Sequence, residues 1–198
     1  MAIEIHPRKL RGPWYDGFAL DAHTSASTFL GYNAFGHPQF ETQRPPIGDL
    51  LFRLKNRGDL TAVEPIAEAA AEFLRTWGIK ADAMIPVPSS NAARKRQPVL
   101  EVANAITAKT GIPICVKCIS KVKSTGQLKD IFERAKREKI LADAFAVDSA
   151  QTQGKRVLVF DDLYRSGATA GAITRLLLDK GAASQVYLLT LTQTRKNL

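Results

Sequence analysis

The run of consecutive apolar residues in KRVLVFDD, residues 155–162, constrains the fold more than any other feature of the sequence. A strand that is apolar at every position, and not only at every second one, is buried on both faces, as the central strands of parallel sheets are. From Lys80 onward, short apolar runs alternate with amphipathic stretches, which is typical of strand and helix units around such a sheet. The sequence therefore predicts an α/β fold with a parallel central sheet.

The predicted elements of the core follow one another in a regular order. The strands are ADAMIPVP, IPICVKCIS, AFAV, KRVLVFDD and SQVYLLTLT, and the helices are LTAVEPIAEAAAEFLRTWG, QPVLEVANAITAK and GATAGAITRLLLDKG. The earlier part of the chain is rich in glycine, aromatic and polar residues, which predicts short strands and turns. We therefore expect a small N-terminal cap over residues 1–58 and an α/β core over residues 59–198, packed together as one compact unit.

The aromatic residues of the expected cap have two interpretations. They could stack on a ligand or build the core of the cap, and the second is favoured because aromatic side chains pack more often than they recognise. The residues concerned are Trp14, Tyr15, Phe18, Tyr32 and Phe35.

The apolar runs and the cysteines of the sequence predict the compartment in which the protein functions. A chain of 198 residues is long enough to bury one core, and it has no apolar run that approaches the length of a membrane span. Its two cysteines, Cys115 and Cys118, form a Cys-x-x-Cys motif with no second half, which is weak evidence for zinc or redox chemistry. Flanking β-branched residues instead favour two thiols on a strand. We expect a cytoplasmic protein in a reducing environment, with no membrane contact.

The positive charge is concentrated in one stretch of the sequence. The formal net charge is +9, and residues 90–140 contribute eight of these charges, with twelve basic and four acidic side chains. Such a local field attracts a polyanion, either a pyrophosphate or a nucleic-acid backbone. Nucleic acid is not favoured, because a pyrophosphate already accounts for the charge and Phe132 is the single aromatic residue in this stretch. A solvated helix face would explain part of the pattern.

The chemistry is concentrated where KRVLVFDD ends. Ligands of parallel sheets bind beyond the carboxyl ends of the strands, which is where Asp161 and Asp162 stand. The small residues of RSGAT lead directly into a helix, so that backbone amides and the helix dipole favour a phosphate there. A carboxylate pair beside a phosphate loop specifies a phosphorylated sugar better than either feature alone. The alternative is a plain connection in which Thr169 caps the helix.

The string VLVFDDLYRSGAT resembles the phosphoribosyl pyrophosphate signature of the type I phosphoribosyltransferases. The resemblance implies that Asp161 and Asp162 hold the ribose hydroxyls as catalytic residues, and that the 5-phosphate is bound by Arg165, Ser166, Gly167, Ala168 and Thr169. It also implies Mg²⁺, carried with the ligand and approached by the two aspartates. PVPSS would be the pyrophosphate loop, assisted by basic side chains; the set is Ser89, Ser90, Arg94, Arg96, Lys121 and Lys123. The segment from Lys121 to Lys139 would be a mobile catalytic loop.

A narrower resemblance is to the ComF family of predicted phosphoribosyltransferases linked to DNA uptake. It depends on LLFRLKNRGD, MIPVPSSNAARKRQ, STGQLK and ILADAFAV, which occur in this order before the aspartates. The four-cysteine zinc module with which ComF-like proteins usually open is replaced here by GPWYDGFALDAHTS.

Together these features predict transfer of a phosphoribosyl group to a nitrogen acceptor with release of pyrophosphate. Such a reaction requires positioning and electrostatic stabilisation but no nucleophilic side chain. The alternative is a binding module that senses phosphoribosyl pyrophosphate, or a ComF-like accessory of DNA uptake, without turnover. The sequence leaves open the identity of the acceptor and whether the protein is a homodimer.

The adjacent carboxylates also predict a stability effect. Asp161 and Asp162 should repel each other in the empty site, so replacing Asp162 by Asn should leave the unliganded protein as stable as the parent or slightly more so. If Asp162 were instead a buried cap or an ion-pair partner, the same substitution would lower stability while leaving ligand affinity nearly unchanged.

Overall fold

The fold is that of a computed structural model, which describes residues 3–89, 96–123, 141 and 143–194. Its strands are β1 (Arg8–Lys9), β2 (Asp16–Ala22), β3 (Ala26–Tyr32), β4 (Pro38–Gln43), β5 (Ala83–Pro86), β6 (Ile119–Lys121), β7 (Phe145–Val147), β8 (Arg156–Tyr164) and β9 (Gln185–Gln193). Its helices are α1 (Pro46–Phe52), α2 (Val63–Trp77), α3 (Pro98–Thr110), α4 (Ser149–Thr152) and α5 (Ala168–Asp179). A π-helical turn (Arg53–Arg57) follows α1, and a 3₁₀ turn (Leu60–Ala62) precedes α2.

The central sheet has five strands in the order β1-β2-β9-β8-β5. All neighbouring strands from β2 to β5 run parallel, and only β1 is antiparallel to its neighbour. The predicted α/β fold with a parallel sheet is therefore confirmed. Because β5, β8, β9 and β2 point the same way, their carboxyl ends lie along one edge, where parallel sheets bind ligands.

Burial of β8 on both faces explains its continuous apolar run. Val157 and Val159 belong to the core on one face, where they meet Ile173 and Leu177 of α5. Leu158 and Phe160 belong to the core on the other face, which α2 and α3 cover. None of the four strand residues is exposed to solvent. Successive side chains of a strand point to opposite faces, so two covered faces require an apolar residue at every position.

The N-terminal region contributes to the central sheet. Strands β1 and β2 are part of it, whereas β3 and β4 form a separate antiparallel hairpin. Strand β2 is largely buried and pairs with β9 from Asp16↔Tyr187 to Ala22↔Gln193. The division of the chain at residue 58 stays a prediction.

The aromatic residues of this region have two different environments. Trp14 is buried against Tyr164, and Phe18 packs edge-on against Phe73 and Trp77, so the prediction that they build the core is confirmed. For Tyr15, Tyr32 and Phe35 the prediction is wrong, because their side chains are exposed. Tyr15 lies edge-on to Tyr187, and the other two belong to the hairpin. A two-stranded hairpin has no second layer that could cover its aromatic residues.

The single strand predicted over IPICVKCIS is wrong, as is the prediction of two free thiols. Ile114 makes an isolated bridge to Met84, the chain turns, and β6 begins only at Ile119. Cys115 and Cys118 are joined by a disulfide, with their Cα atoms 5.5 Å apart. Three residues of extended chain would separate these atoms by about 10 Å, so the bond requires the turn. The strand predicted over AFAV is confirmed as β7, which pairs with β6.

In the described part of the chain, no helix combines the length and the apolar character needed to cross a bilayer.

Candidate functional site

The carboxylate pair lies within β8, since this strand continues to Tyr164 and not only to Asp161. Adjacent strand residues point to opposite faces, and the two side chains accordingly have different surroundings. Asp161 lines a cleft with the loop that follows, whereas the carboxylate of Asp162 meets Lys55, 2.7 Å from its Nζ. The backbone N–H of Asp162 donates to Oδ1 of Asp161 at 2.8 Å, which orients the first carboxylate.

The cleft has a volume of about 480 Å³ and is lined mainly by the loop between β8 and α5. It brings together most residues that the sequence assigns to ribose 5-phosphate: Asp161, Arg165, Ser166, Gly167, Ala168 and Thr169. Leu141, Leu163, Tyr164, Ala170 and Thr190 complete the lining. A volume of this size suits a small phosphorylated ligand.

The loop has its shape because Gly167 adopts a left-handed conformation, with φ +76°. Gly167 is also the N-cap of α5, and its carbonyl accepts from the N–H of Gly171 at 2.7 Å. A Cβ at this position would lie 2.8 Å from Cζ of Tyr164, so the site excludes a side chain both by conformation and by space. The N–H of Ala168 donates to Oγ of Ser166 at 3.4 Å, and the N–H groups that follow it in the first turn of α5 have no partner within the helix, which is the arrangement that favours an anion.

The carboxyl groups differ in their electrostatics. Burial, and then the neighbouring charge of Asp162, raise the pKa of Asp161 from 3.8 to about 7. Asp162 is an ion-pair partner of Lys55, which belongs to the π-helical turn after α1. Without a ligand, the carboxyl of Asp161 therefore resists ionisation, whereas the carboxylate of Asp162 is paired with the ammonium of Lys55.

The ion pair revises the expectation for Asp162. Replacing it by Asn relieves the repulsion but leaves the half-buried ammonium of Lys55 without its carboxylate, so no gain in stability is expected. A gain in stability from relieved repulsion is expected instead when Asp161 is replaced, since Asp161 has no cationic hydrogen-bond partner in the described residues. Sequence reasoning missed Lys55, although the residue lies in LLFRLKNRGD, one of the strings that carry the resemblance to ComF.

A second cleft, of about 280 Å³, lies at the carboxyl end of β5, the neighbour of β8. It brings Ser89 together with Lys121, as expected for a pyrophosphate site. Arg96 is exposed and donates to the carbonyl of Gly58 at 3.2 Å, and Lys123 is exposed and lies 3.7 Å from Asp143; neither lines the cleft. Ser90, Arg94 and the predicted mobile loop beyond Lys123 lie outside the described residues.

A polar array that the sequence did not indicate continues the carboxyl edge on the other side of β8. His23 directly follows β2, and its N–H donates to the carbonyl of Gln193 at 2.7 Å. Its half-buried ring lies with Nδ1 3.0 Å from Oγ1 of Thr192, and that hydroxyl donates to the backbone carbonyl of Asp162 at 3.1 Å. A lone histidine gives no spacing signal, and only the pairing of β2 with β9 brings it to the site.

The donor set can be compared with what Mg²⁺ requires. The two aspartates offer carboxylate oxygens, which this cation prefers. Within the described residues, no cluster of three or more potential ligands surrounds them. The pair therefore fits an ion that the phosphates of a ligand also hold, and does not by itself form a complete cage.

The parallel sheet with its loop at a helix N-terminus has the fold of the type I phosphoribosyltransferases, as a comparison with solved structures shows. The glutamine phosphoribosylpyrophosphate amidotransferase from B. subtilis, complexed with ADP and GMP, superposes with a TM-score of 0.50 and 17% identity. The match covers 80% of this chain and 34% of that one. Adenine phosphoribosyltransferase from Saccharomyces cerevisiae has a TM-score of 0.49 at 14% identity, covering 85% and 84%. The likeness to the amidotransferase concerns the fold alone.

The chain is, more particularly, similar in sequence to a ComF protein. It is 26% identical to competence protein ComFC of Bacillus subtilis (strain 168) over 148 residues, and this match covers 74% of this chain. It spans only 59% of the length of ComFC. No family model matches the sequence. The predicted resemblance to ComF and to the type I phosphoribosyltransferase fold is thus confirmed.

Proposed function

We propose that the protein binds phosphoribosyl pyrophosphate with Mg²⁺ and transfers the phosphoribosyl group to a nitrogen acceptor, releasing pyrophosphate. The observation that carries the proposal is the shared cleft of Asp161 and the Arg165–Thr169 loop, with a second cleft at the adjacent strand end. The first matches a ribose 5-phosphate in its chemistry, and the second offers the hydroxyl of Ser89 and the ammonium of Lys121 to a pyrophosphate. The cytoplasm is the compartment that we propose.

Each group has a defined part in the proposed reaction. Asp161 and Asp162 accept hydrogen bonds from the ribose hydroxyls, and the amides at the start of α5 hold the 5-phosphate. As the bond to pyrophosphate breaks, positive charge develops on the sugar and negative charge on the leaving group. The carboxylates stabilise the first, and Lys121 with Ser89 stabilises the second. Asp161 and Asp162, together with the phosphates of the ligand, would hold Mg²⁺, which would supply further charge neutralisation.

Proton release should accompany binding. The ribose hydroxyls and the cation favour the ionised form of Asp161, whose pKa is about 7 in the empty site. Affinity should therefore rise with pH between about 6 and 8, because the carboxyl loses its proton on binding.

The proposal predicts that phosphoribosyl pyrophosphate with MgCl₂ raises the melting temperature. A ligand that binds only the folded state stabilises it by mass action, by about 2.7 kcal/mol at a concentration one hundred times its Kd. A thermal-shift titration to millimolar ligand measures the effect, with MgCl₂ alone as the control. A flat titration of folded protein would contradict the proposal.

Lys121 and Lys123 provide a matched test of the pyrophosphate site. Lys121 lines the second cleft, whereas Lys123 is exposed beside Asp143. We expect Lys121→Gln to weaken binding of phosphoribosyl pyrophosphate about tenfold, since a hydrogen bond to a charged group contributes roughly 1.5–3 kcal/mol. Binding of ribose 5-phosphate should be unchanged, and Lys123→Gln should alter neither. Calorimetry with both ligands decides the matter, and equal losses in the two variants would show a general surface field.

The similarity to a competence protein favours one alternative: a ligand-binding accessory in DNA uptake, without turnover. The two functions differ in the release of pyrophosphate when bases and amines are offered together with phosphoribosyl pyrophosphate. Neither depends on nucleic-acid contact. Much of the basic stretch that would attract nucleic acid lies outside the described residues, at 90–95 and 124–140.

A further inference from the structure

His23, Thr192 and Asp162 form a continuous hydrogen-bonded array, and its geometry fixes the tautomer of the histidine. A hydroxyl has one proton to donate, and that of Thr192 goes to the backbone carbonyl of Asp162. Thr192 therefore has to accept from His23, so the Nδ1 of His23 carries the proton. In the neutral ring this leaves a lone pair on Nε2.

The Nε2 atom is open for a ligand. In the described part of the chain it has no hydrogen-bond partner, and it is not among the buried side-chain atoms that lack one. The ring is half-buried and directed by the Nδ1 bond to Thr192, whose hydroxyl contacts the backbone of Asp162, so the second ring nitrogen is held at a fixed place at this edge of the sheet. A fixed orientation of this kind is what a proton acceptor requires.

The charges around His23 favour its neutral form. Burial lowers its pKa from 6.5, and the cations of Lys55, Arg44 and Arg165 lower it further, opposed by the carboxylate of Asp162. At neutral pH the ring is therefore uncharged and its Nε2 can take up a proton. The other groups at the pair are less suited, because Arg165 cannot accept a proton and the aspartates are engaged by ribose in the proposed function.

The order of the strands places His23 on the required side. The second cleft lies at the end of β5, next to β8 on one side, whereas His23 lies at the end of β2, beyond β9 on the other side. A nucleophile that displaces pyrophosphate directly has to approach the anomeric carbon from the face opposite to the leaving group. A nucleophile at the β2 end of the sheet edge would therefore approach the reacting carbon from the side away from the second cleft.

We propose, on the basis of the proposed function, that His23 is the general base on the acceptor side of the site. As the acceptor nitrogen forms its bond to the anomeric carbon, the bond from that carbon to the pyrophosphate oxygen breaks, and its electron pair leaves with pyrophosphate. The proton of the acceptor nitrogen moves to Nε2 of His23, which becomes an imidazolium and later returns the proton to water.

The test uses free ammonia as the nitrogen nucleophile, since it is small enough for any acceptor pocket. Pyrophosphate release is measured across pH at a constant concentration of free ammonia, with phosphoribosyl pyrophosphate and MgCl₂ at saturation so that the pH-dependent affinity expected from Asp161 does not enter the rate. The rate for the parent should rise with pH through the pKa of the histidine, below 6.5, and then level. His23→Asn keeps a donor toward Thr192 but has no base, and should lower the plateau about a hundredfold and abolish this rise.

Binding and a matched control separate this proposal from the one on which it depends. His23→Asn should bind phosphoribosyl pyrophosphate like the parent, and His37→Asn, the same change on the exposed hairpin, should leave rate and binding unaltered. Nitrogen NMR should show Nδ1 protonated in His23. Ligand that fails to bind the parent refutes the proposed function itself. Three results with normal binding would overturn the role of His23. They are a lack of pyrophosphate release by ammonia, a parental rate in His23→Asn, and a proton on Nε2 of the neutral ring.

Discussion

Replacing Asp161 by Asn should stabilise the empty protein at neutral pH while lowering its affinity for phosphoribosyl pyrophosphate tenfold to a hundredfold. The affinity falls because a charged acceptor of the ribose hydroxyls becomes a neutral amide, a loss of roughly 1.5–3 kcal/mol. The stability rises because folding raises the pKa of this carboxyl from 3.8 to about 7, so that ionisation opposes the folded state.

The sign of the pH dependence follows from that direction. Below pH 3.8 the carboxyl is protonated in both states, and parent and variant should be equally stable. As the pH rises toward 7, the unfolded chain ionises freely while the folded one resists, and the parent loses stability relative to Asp161→Asn. One unit of pKa corresponds to about 1.4 kcal/mol, and partial contact of the side chain with water reduces the total, so the difference should reach on the order of 2 kcal/mol. Urea unfolding at pH 4, 5.5 and 7.5 measures it.

Asp162→Asn is the matched control for this prediction. It removes the same charge from the same pair, but it also leaves Lys55 without its carboxylate, so the gain in stability should be absent. Affinity should fall as in Asp161→Asn. A destabilised Asp161→Asn protein with parental affinity would overturn the assignment of the carboxylate pair to ribose.

Gly167→Ala should abolish tight binding of both phosphoribosyl pyrophosphate and ribose 5-phosphate, with at least a tenfold loss for each. An alanine in the left-handed conformation costs about 1–2 kcal/mol, and its Cβ would force Tyr164 away from the loop. Since Tyr164 packs edge-on against Trp14, the loop, and not the tyrosine, should give way. The amides at the start of α5 would then no longer converge on the 5-phosphate.

Gly154 offers the control for the backbone cost alone. It also has a positive φ, +71°, but a Cβ there would meet nothing within 4 Å, and it lies in the turn before β8, away from the cleft. Gly154→Ala should lower the melting temperature through conformational strain without changing affinity. Calorimetry and thermal unfolding on both variants separate strain from clash, and parental affinity in Gly167→Ala would show that the loop does not hold the phosphate.

The sequence predicts those parts of the fold and site that depend on neighbouring residues. The apolar run of β8, the small residues that open α5 and the position of Asp161 between them all follow from local pattern. The turn between Cys115 and Cys118 was missed because β-branched neighbours favour a strand and the competing bond is not visible in the pattern.

Contacts between distant parts of the chain could not be predicted. Lys55 meets Asp162 across 107 residues, and His23 meets Thr192 across 169. The contact of His23 depends on the pairing of β2 with β9, and that of Lys55 depends on the path of the chain after α1. No local periodicity specifies either feature. The exposed aromatic residues of the hairpin were missed for a related reason: residue type predicts burial only where a second layer is present.

The position of β9 in the sheet has a consequence for folding during synthesis. Strand β9 lies between β2 and β8, and thus joins the first long strand of the chain to the strand that carries the carboxylates. Until residues 185–193 leave the ribosome, β2 and β8 each present an unpaired edge, and His23 is not held beside Asp162. Such edges are sites of aggregation, and pairing across so many residues is slow because the loop has to close first. The nascent chain should therefore expose both edges until β9 inserts between them, and the candidate site should form only in that step.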